Sequence, residues 1–311
     1  MATAPAKLIL CGEHAVVYGR PAIALPLADI RATATVAPSP AGSGPMIHAP
    51  DLGGRWRVAE QPTDPLSRLV TTVVERFGLP ADVEITIRSA IPIASGMGSG
   101  AAIATAIVRE LLAYGGQTLP PAEISAIVYE SERAYHGTPS GIDNTVVAFE
   151  QPIWFQRRPD QPPLIEPIVI GTPLTLVVGD TGVRSPTRLP VGAVRERWQA
   201  DPARYEALFD QVATLVVAAR TALAEGDVVT LGTLLNTNHE LLRDIGVSSA
   251  ELDCLTTAAR SAGALGAKLA GAGWGGVMLA LTTPDQAPVI AAALQAAGAT
   301  NTLVTTIAAT G

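Results

Sequence analysis

Charged side chains that can bind phosphate, metal and a hydroxyl group lie at separate places in a largely apolar sequence. Lys7 lies within the first apolar run, Glu13 and His14 follow that run, and Glu132 and Asp143 are 11 residues apart near the middle of the chain. Phosphoryl transfer needs a cation at the phosphates, one carboxylate for Mg²⁺ and another that orients or deprotonates the attacking hydroxyl. These residue types are therefore suited to phosphoryl transfer.

A glycine loop precedes the most apolar helical pattern of the chain. It begins at Pro92 and leads into the helix at Ala101, with glycines alternating with other small or apolar residues at Ser95, Gly96, Met97, Gly98, Ser99 and Gly100. Glycines expose backbone N–H groups, and a helix start adds unpaired donors and a positive dipole end, so the pattern favours an anion site for phosphates. A glycine-rich turn before a buried helix is the simpler alternative. The spacing matches neither GxxxxGK[ST] nor a GxGxxG that follows a first strand.

Composition narrows the class of protein. Hydrophobic residues make up 48% of the 311 residues and charged residues 16%, so a large core is available. The net charge of −7 argues against nucleic-acid binding. Two cysteines are too few for a disulfide framework. The first residues lack the apolar run of a signal peptide, and no apolar run of 18 residues follows, so we expect a soluble cytoplasmic protein without a membrane partner.

Lysine is used at only two of the 21 basic positions, Lys7 and Lys268, and both stand beside glycine-containing motifs. Because the rest of the chain uses arginine, a compact ammonium group is expected to matter at these two positions.

Each candidate residue also has a simpler structural interpretation. Asp143 is suited to a turn or a helix cap. Glu132 is suited to an exposed helix face, paired with a neighbouring basic residue. Lys7 is suited to an exposed sheet edge, and His14 to a structural hydrogen bond.

Strands and helices alternate along the sequence, which predicts an α/β or α+β fold. Residues 63–65 predict a helix start that continues to about residue 77, and residues 83–88 alternate as a strand that leads to the glycine loop. Residues 38–50 and 136–144 are rich in Pro, Gly and Ser and predict loops. Pro-rich segments near residue 170 predict two domains, residues 1–170 and 171–311.

Four motifs resemble those of the galacto-, homoserine, mevalonate and phosphomevalonate (GHMP) kinases. They occur in the family's order, from residue 7 to about residue 277, and read KLILCGEHAVVYGRPAIA, PIASGMGSGAA, ESERAYHGTPSGIDNTV and KLAGAGWGG. The first and third motifs are specific, whereas either glycine loop alone is weak evidence.

The resemblance implies a two-domain fold, with a left-handed βαβ unit in the N-terminal domain and a ferredoxin-like C-terminal domain. It also implies ATP-dependent phosphorylation of the C5 hydroxyl of mevalonate, with MgATP as the second substrate and a homodimer as the assembly. A phosphomevalonate or sugar-like acceptor is the close alternative, and a non-catalytic ligand sensor on the same fold is a distant one.

The resemblance further implies roles for single residues. Asp143 would be the catalytic base or would orient the hydroxyl, and Lys7 would lie close to it and stabilise developing charge. Glu132 would bind Mg²⁺. The loop from Pro92 to Ala101 would hold the ATP phosphates, and Glu13, His14 and Asp143 would form the mevalonate site, with the His14 ring meeting the carboxylate.

Two positions depart from the family pattern. Gly100 stands where the family usually has a serine whose hydroxyl contributes to Mg²⁺ binding, so that Ser99, water, or Glu132 with ATP would have to replace it. Trp274 stands where the family usually has glycine, and its bulk is expected to reshape the rim of the substrate cleft.

Overall fold

The protein is described by a computed structural model that covers residues 1–92, 95–136 and 140–310. Gly137, Thr138 and Pro139 of the third motif, and Ile93 and Ala94 of the glycine loop, lie outside the described residues. The chain folds into two compact units. Unit 1 contains residues 1–7, 26–93 and 98–150, and unit 2 contains residues 8–25, 94–97 and 151–311.

The order of helices and strands is mixed throughout, as the sequence predicts. The strands are β1 (Ala2–Cys11), β2 (Ala22–Pro38), β3 (Met46–Ala49), β4 (Gly54–Arg57), β5 (Val83–Ser89), β6 (Ile153–Arg158), β7 (Gln161–Pro167), β8 (Leu174–Asp180), β9 (Gly266–Ala270), β10 (Val277–Thr282) and β11 (Asn301–Ile307). The helices are α1 (Pro65–Phe77), α2 (Ser99–Tyr114), α3 (Pro121–His136), α4 (Ile142–Phe149), α5 (Arg188–Ala200), α6 (Pro202–Glu225), α7 (Val228–Ile245), α8 (Ala250–Ser261) and α9 (Ala287–Ala296).

In unit 1, a sheet packs against helices that surround α2. The later part of β2 pairs antiparallel with β5, β5 pairs parallel with β3, and β3 pairs antiparallel with β4. Between β3 and the parallel strand β5 the chain passes through β4 and then α1, which makes a βαβ crossover with β4 inserted. Helix α2 is buried along most of its length and contacts α1, α3 and α4. The glycine loop therefore ends at a helix that packs against three other helices.

In unit 2, a four-stranded antiparallel sheet has the order β11-β8-β10-β9. Helices α5 to α8 connect β8 with β9, and α9 connects β10 with β11. This β-α-β-β-α-β arrangement is ferredoxin-like, which confirms the predicted fold. The start of β2 pairs with β6, and β6 with β7.

Both predicted loops contain regular structure, so those two predictions are wrong in part. Strand β3 lies inside residues 38–50, where the parallel pairing of Ile47 with Ile85 stabilises a segment too short to show alternation. Helix α4 begins at Ile142, inside residues 136–144. Gly141 takes the left-handed conformation before it, and the buried Asn144 side chain donates to the backbone oxygen of Ser125 on α3.

Helix α5 and strand β7 were not predicted. Of the residues of α5, only Pro190 and Val194 are buried, so the apolar periodicity is too weak to indicate a helix. Among the described residues, α6 alone is long and apolar enough to cross a membrane by length and composition, and its apolar residues include many that are buried in the core, such as Phe209 and Val216.

Candidate active site

Lys7 and Asp143 form an ion pair in unit 1. The Lys7 Nζ lies 2.8 Å from Asp143 Oδ1, and the Lys7 side chain is 3% exposed whereas that of Asp143 is 36% exposed. Lys7 comes from β1, and Asp143 lies in the first turn of α4. A buried ammonium group is stable only with such a partner. Lys7 is therefore not an exposed edge residue, and the carboxylate beside it is open to a ligand.

Gly98 allows the glycine loop to approach the Lys7 side chain. Its φ is 74°, and a Cβ at this position would lie 2.8 Å from Lys7 Cγ, so a larger residue would be both strained and in collision. Helix α2 begins at the next residue, Ser99. Because the first N–H groups of a helix have no partner within it, donors are available next to the Lys7 ammonium group.

Glu132 on α3 belongs to the same cluster. Its pKa is raised to about 7, first by burial and then by the Asp143 carboxylate, while Lys7 lowers it. A Cβ on Gly100 would lie 3.1 Å from Glu132 Oε1, so the glycine leaves the carboxylate room beside the first turn of α2. Lys7, Glu132 and Asp143, which are far apart in the sequence, thus lie together.

This cluster is suited to Mg²⁺. Two carboxylates near one another hold more negative charge than Lys7 alone balances, and a divalent cation would favour the ionised form of Glu132. The described residues contain no group of three or more His, Cys, Asp or Glu side chains placed to hold a metal. Mg²⁺ usually takes only one or two protein carboxylates and completes its shell with phosphate oxygens and water.

Glu13 and Lys268 form a second ion pair, in unit 2. Lys268 Nζ donates to Glu13 Oε1, and the two side chains are 0% and 1% exposed. Gly12 precedes Glu13 with a φ of 103°, and a Cβ there would lie 2.5 Å from Ala22 Cα, so only glycine permits this close turn at the end of β1. The sequence identified Lys268 as unusual but did not indicate its partner.

His14 is buried and neutral. Its Nε2 donates to the backbone oxygen of Ala272 at 2.9 Å. Burial lowers the pKa of His14 to about 4, and the nearby Arg197 also lowers it. A neutral ring adds no charge to a contact with the mevalonate carboxylate, and the Nε2–H that would serve as a donor is already used.

Residues 95–97 of the glycine loop pack against the third glycine motif within unit 2. Ser95 and Met97 are buried, and the Ser95 hydroxyl accepts a hydrogen bond from the Met97 backbone N–H. A Cβ on Gly276 would lie 2.9 Å from the Ser95 backbone oxygen. The glycines of the third motif therefore let its backbone lie directly against the start of the glycine loop.

Trp274 is anchored within unit 2. Its indole Nε1 donates to the backbone oxygen of Gly246 at 3.0 Å, and the Arg197 guanidinium lies 6.0 Å from the ring centroid. Arg197 donates to the same Gly246 oxygen. The side chain that replaces the usual glycine is thus part of a contact between the third motif and the end of α7.

Two polar residues make contacts that were not predicted from the sequence. Asn144 is buried and donates to both the backbone oxygen and the hydroxyl of Ser125, at 3.0 and 2.8 Å, which fixes α4 and hence Asp143 against α3. Arg184 of unit 2 donates to both Asp180 carboxylate oxygens. Only the position of Asn144, next to Asp143, gave a signal in the sequence.

Two family models match the chain. The N-terminal domain of the GHMP kinases matches residues 66–151, and the C-terminal domain of the GHMP kinases matches residues 219–300. The mevalonate kinase of Thermococcus sibiricus is 35% identical over 320 residues, which cover 96% of this chain and 93% of that protein. The mevalonate kinase of Methanothermobacter thermautotrophicus is 34% identical, over 90% of this chain and 89% of that protein.

Solved structures agree with these relatives. The L. major mevalonate kinase in complex with R-mevalonate has a TM-score of 0.87 and 30% identity, and the match covers 99% of this chain and 96% of that chain. The chain belongs to the GHMP kinase family.

Proposed function

We propose that this protein is a mevalonate kinase, which transfers the γ-phosphoryl group of ATP to the C5 hydroxyl of mevalonate. The observation that carries the proposal is the Lys7–Asp143 ion pair, next to Gly98 at the start of α2. A partly exposed carboxylate beside a buried cation and a helix start can orient an alcohol and bind phosphate, which are the tasks of phosphoryl transfer to an alcohol. The similarity to mevalonate kinases over nearly the whole chain supports the choice of acceptor.

Asp143 would accept the proton of the C5 hydroxyl or orient that hydroxyl for attack. It is in a favourable position for this role because it is open to a ligand on one side and paired with Lys7 on the other. Lys7 would stabilise the charge that develops on the transferred phosphoryl group. The ATP phosphates would be held by the loop residues Pro92, Ser95, Gly96, Met97, Gly98, Ser99, Gly100 and Ala101.

Mg²⁺ would be held by Glu132 and Ser99. When bound, the ion supplies positive charge that balances the phosphate oxygens. Gly100 offers no hydroxyl, so the Ser99 hydroxyl or water would provide the oxygen that a serine usually contributes at that position. The mevalonate site would include Asp143, Glu13 and His14.

We extend the proposal to the organisation of the protein. The domains would be residues 1–170, with the phosphate loop and the acidic residues, and residues 171–311, with the third glycine motif. The protein would act in the cytoplasm as a homodimer, without a nucleic-acid or membrane partner.

A coupled assay of ADP release tests the proposal, with mevalonate, phosphomevalonate, homoserine and galactose as acceptors. We expect mevalonate to give the highest kcat/KM. The Asp143→Asn variant should lose kcat by about 10²- to 10⁴-fold while it still binds ATP. A different preferred acceptor would overturn the choice of substrate, and an Asp143→Asn variant as fast as the parent would overturn the role of Asp143.

A further inference from the structure

The pair of Glu13 and Lys268 is buried far more completely than the pair of Lys7 and Asp143. Neither side chain of the former pair reaches solvent to more than 1%. Burial of two charges is costly, so a fully buried ion pair is weak evidence for a purely stabilising role. The two partners are 255 residues apart, on the turn after β1 and on β9.

Lys268 opposes the effect of burial on Glu13. Burial raises the pKa of Glu13, and the charge of Lys268, followed by its hydrogen bond, lowers it. The backbone N–H groups of Glu13 and Gly271 act in the same direction as Lys268 but more weakly. The pKa of Glu13 is raised overall by burial, and Lys268 is the main group that favours its ionised form.

The second carboxylate oxygen of Glu13 has an unused acceptor capacity. Oε1 accepts from Lys268, whereas Oε2 is buried and has no hydrogen-bond partner of acceptable geometry among the described residues. A buried acceptor without a donor carries a desolvation cost, which is larger when the acceptor is charged. A ligand hydroxyl would remove that cost.

Lys268 is itself held in place from both sides along β9. Helix α7 covers this edge strand: Asn236 Oδ1 accepts from the Ala267 N–H at 2.9 Å, and His239 Nδ1 accepts from the Leu269 N–H at 3.2 Å. On the other side, Lys268 is in register with Leu279 of β10. The strand cannot slip without breaking these bonds, so the backbone of Lys268 is fixed and its ammonium group is directed by the contact with Glu13.

We propose that Lys268 is a positioning residue for the acceptor alcohol: it engages Glu13 Oε1 and maintains the carboxylate, so that Oε2 accepts a hydrogen bond from a substrate hydroxyl. The inference rests on the proposed function for the assignment of Glu13 to the acceptor site. It goes further because it assigns a role to Lys268, a residue of the third glycine motif that acts through Glu13 and does not itself contact the substrate.

The test compares Lys268→Met, Glu13→Gln and the double variant. Lys268→Met should raise the KM for mevalonate by about ten- to a hundredfold, the range for a lost charged hydrogen bond, and leave the KM for ATP within about twofold. Its kcat/KM should recover as the pH rises, because Glu13 must then lose its own proton. Glu13→Gln should show the same loss without recovery at high pH.

Glu132, whose pKa is raised to about 7, titrates in the parent and in every variant alike, so each pH profile is compared with that of the parent. Burial raises the pKa of Cys11 to about 12, and burial lowers that of His239 to about 4, so neither titrates between pH 6 and 9. Leu279→Ala, which alters the neighbour of Lys268 on β10, is the structural control and should not add a pH dependence.

The double variant provides the decisive comparison. If Lys268 acts through Glu13, the double variant should have the KM of Glu13→Gln alone and a higher melting temperature than Lys268→Met, since no unpaired charge remains buried. Additive losses, or an equal rise in the KM for ATP, would overturn the proposal. Should Lys268→Met fail to fold, the double variant still decides between these results.

A failure of the proposed function can be distinguished from a failure of the inference about Lys268. Calorimetric titration of each variant with mevalonate in the absence of ATP measures acceptor binding without turnover. A parent protein that prefers another alcohol contradicts the mevalonate assignment, and the same variants are then compared with that alcohol. If the Glu13→Gln variant binds the preferred alcohol as tightly as the parent does, the role assigned to Lys268 is overturned, whereas the proposed function is not.

Discussion

Gly98 lies so close to Lys7 that a Cβ on the glycine would come within 2.8 Å of the Lys7 Cγ. The glycine also has a φ of 74°, at the position just before α2. The conformation of the glycine loop and the position of Lys7, which pairs with Asp143, are therefore coupled. A change at Gly98 affects the candidate site without removing any charged group.

We expect Gly98→Ala to lower kcat at least tenfold, because the added Cβ collides with the aliphatic part of the Lys7 side chain and displaces it. The left-handed conformation costs about 1–2 kcal/mol in addition. Gly116→Ala is a matched control, since Gly116 has a φ of 71° and no atom of the described residues within 4 Å of its Cβ position. Steady-state kinetics and thermal unfolding of both variants should show similar stability losses but a loss of kcat for Gly98→Ala only.

Gly100→Ala should weaken the binding of Mg²⁺. The new Cβ would lie 3.1 Å from Glu132 Oε1, closer than most such contacts, so the carboxylate must move by a few tenths of an ångström. We expect the Mg²⁺ concentration for half-maximal activity to rise about three- to tenfold, on the order of 1 kcal/mol.

Gly192→Ala separates this effect from helix propensity. Gly192 lies in α5, and no atom in the described part of the chain comes within 4 Å of its Cβ position. Both substitutions should gain up to about 1 kcal/mol of helix stability, but only Gly100→Ala should change the Mg²⁺ dependence. An unchanged Mg²⁺ titration for Gly100→Ala would argue against Glu132 as the metal ligand.

Much of the fold was predictable because it depends on local signals. The helix that begins after Asp64 has a cap, a proline in the first turn and an apolar stripe, and the Asp64 side chain accepts from the Ser67 N–H as such a start requires. The apolar helix after the glycine loop could also be predicted from its own residues. These features depend on neighbouring residues, so one stretch of sequence contains the information.

The features that were missed depend on distant contacts. Helix α4 starts within a Pro/Gly segment because Asn144 is bonded to α3, a partner that local patterns do not indicate. The partner of Glu13 lies 255 residues away. The neutral state of His14 results from burial, which becomes visible only when the chain is folded.

The stability of the protein should fall as the pH drops below about 6.5, partly because of His239. Burial lowers the pKa of His239 from 6.5 to about 4 in the folded chain. The unfolded chain therefore binds more protons between these values, so the contribution of His239 is complete above pH 6.5 and is lost as the pH falls to about 4. The shift corresponds to on the order of 3 kcal/mol.

Chemical denaturation at several pH values measures this effect. His14 has a similar pKa and the same sign, so the parent protein should lose stability through both histidines. His239→Gln should lower stability at pH 7, because the Leu269 N–H loses its acceptor, but should show a smaller further loss between pH 6.5 and 4. An unchanged slope in that variant would contradict the buried neutral state of His239.

Asn144→Ala should impair catalysis through the placement of α4. Its amide nitrogen donates to the Ser125 backbone oxygen and hydroxyl, and the adjacent residue is Asp143. Loss of both bonds leaves buried acceptors on α3 and should cost about 1–3 kcal/mol of stability. The first turn of α4 should then shift, and a small misplacement of Asp143 should lower kcat tenfold or more.

The comparison with Ser125→Ala distinguishes position from stability. That variant removes the hydroxyl but keeps the bond from Asn144 to the Ser125 backbone oxygen at 3.0 Å, so α4 should remain docked. We expect a smaller loss of stability, a kcat within about twofold of the parent and, in both variants, an unchanged KM for ATP, since neither residue belongs to the phosphate loop. If Asn144→Ala loses stability but retains full kcat, the orientation of Asp143 is determined by Lys7 rather than by the docking of α4.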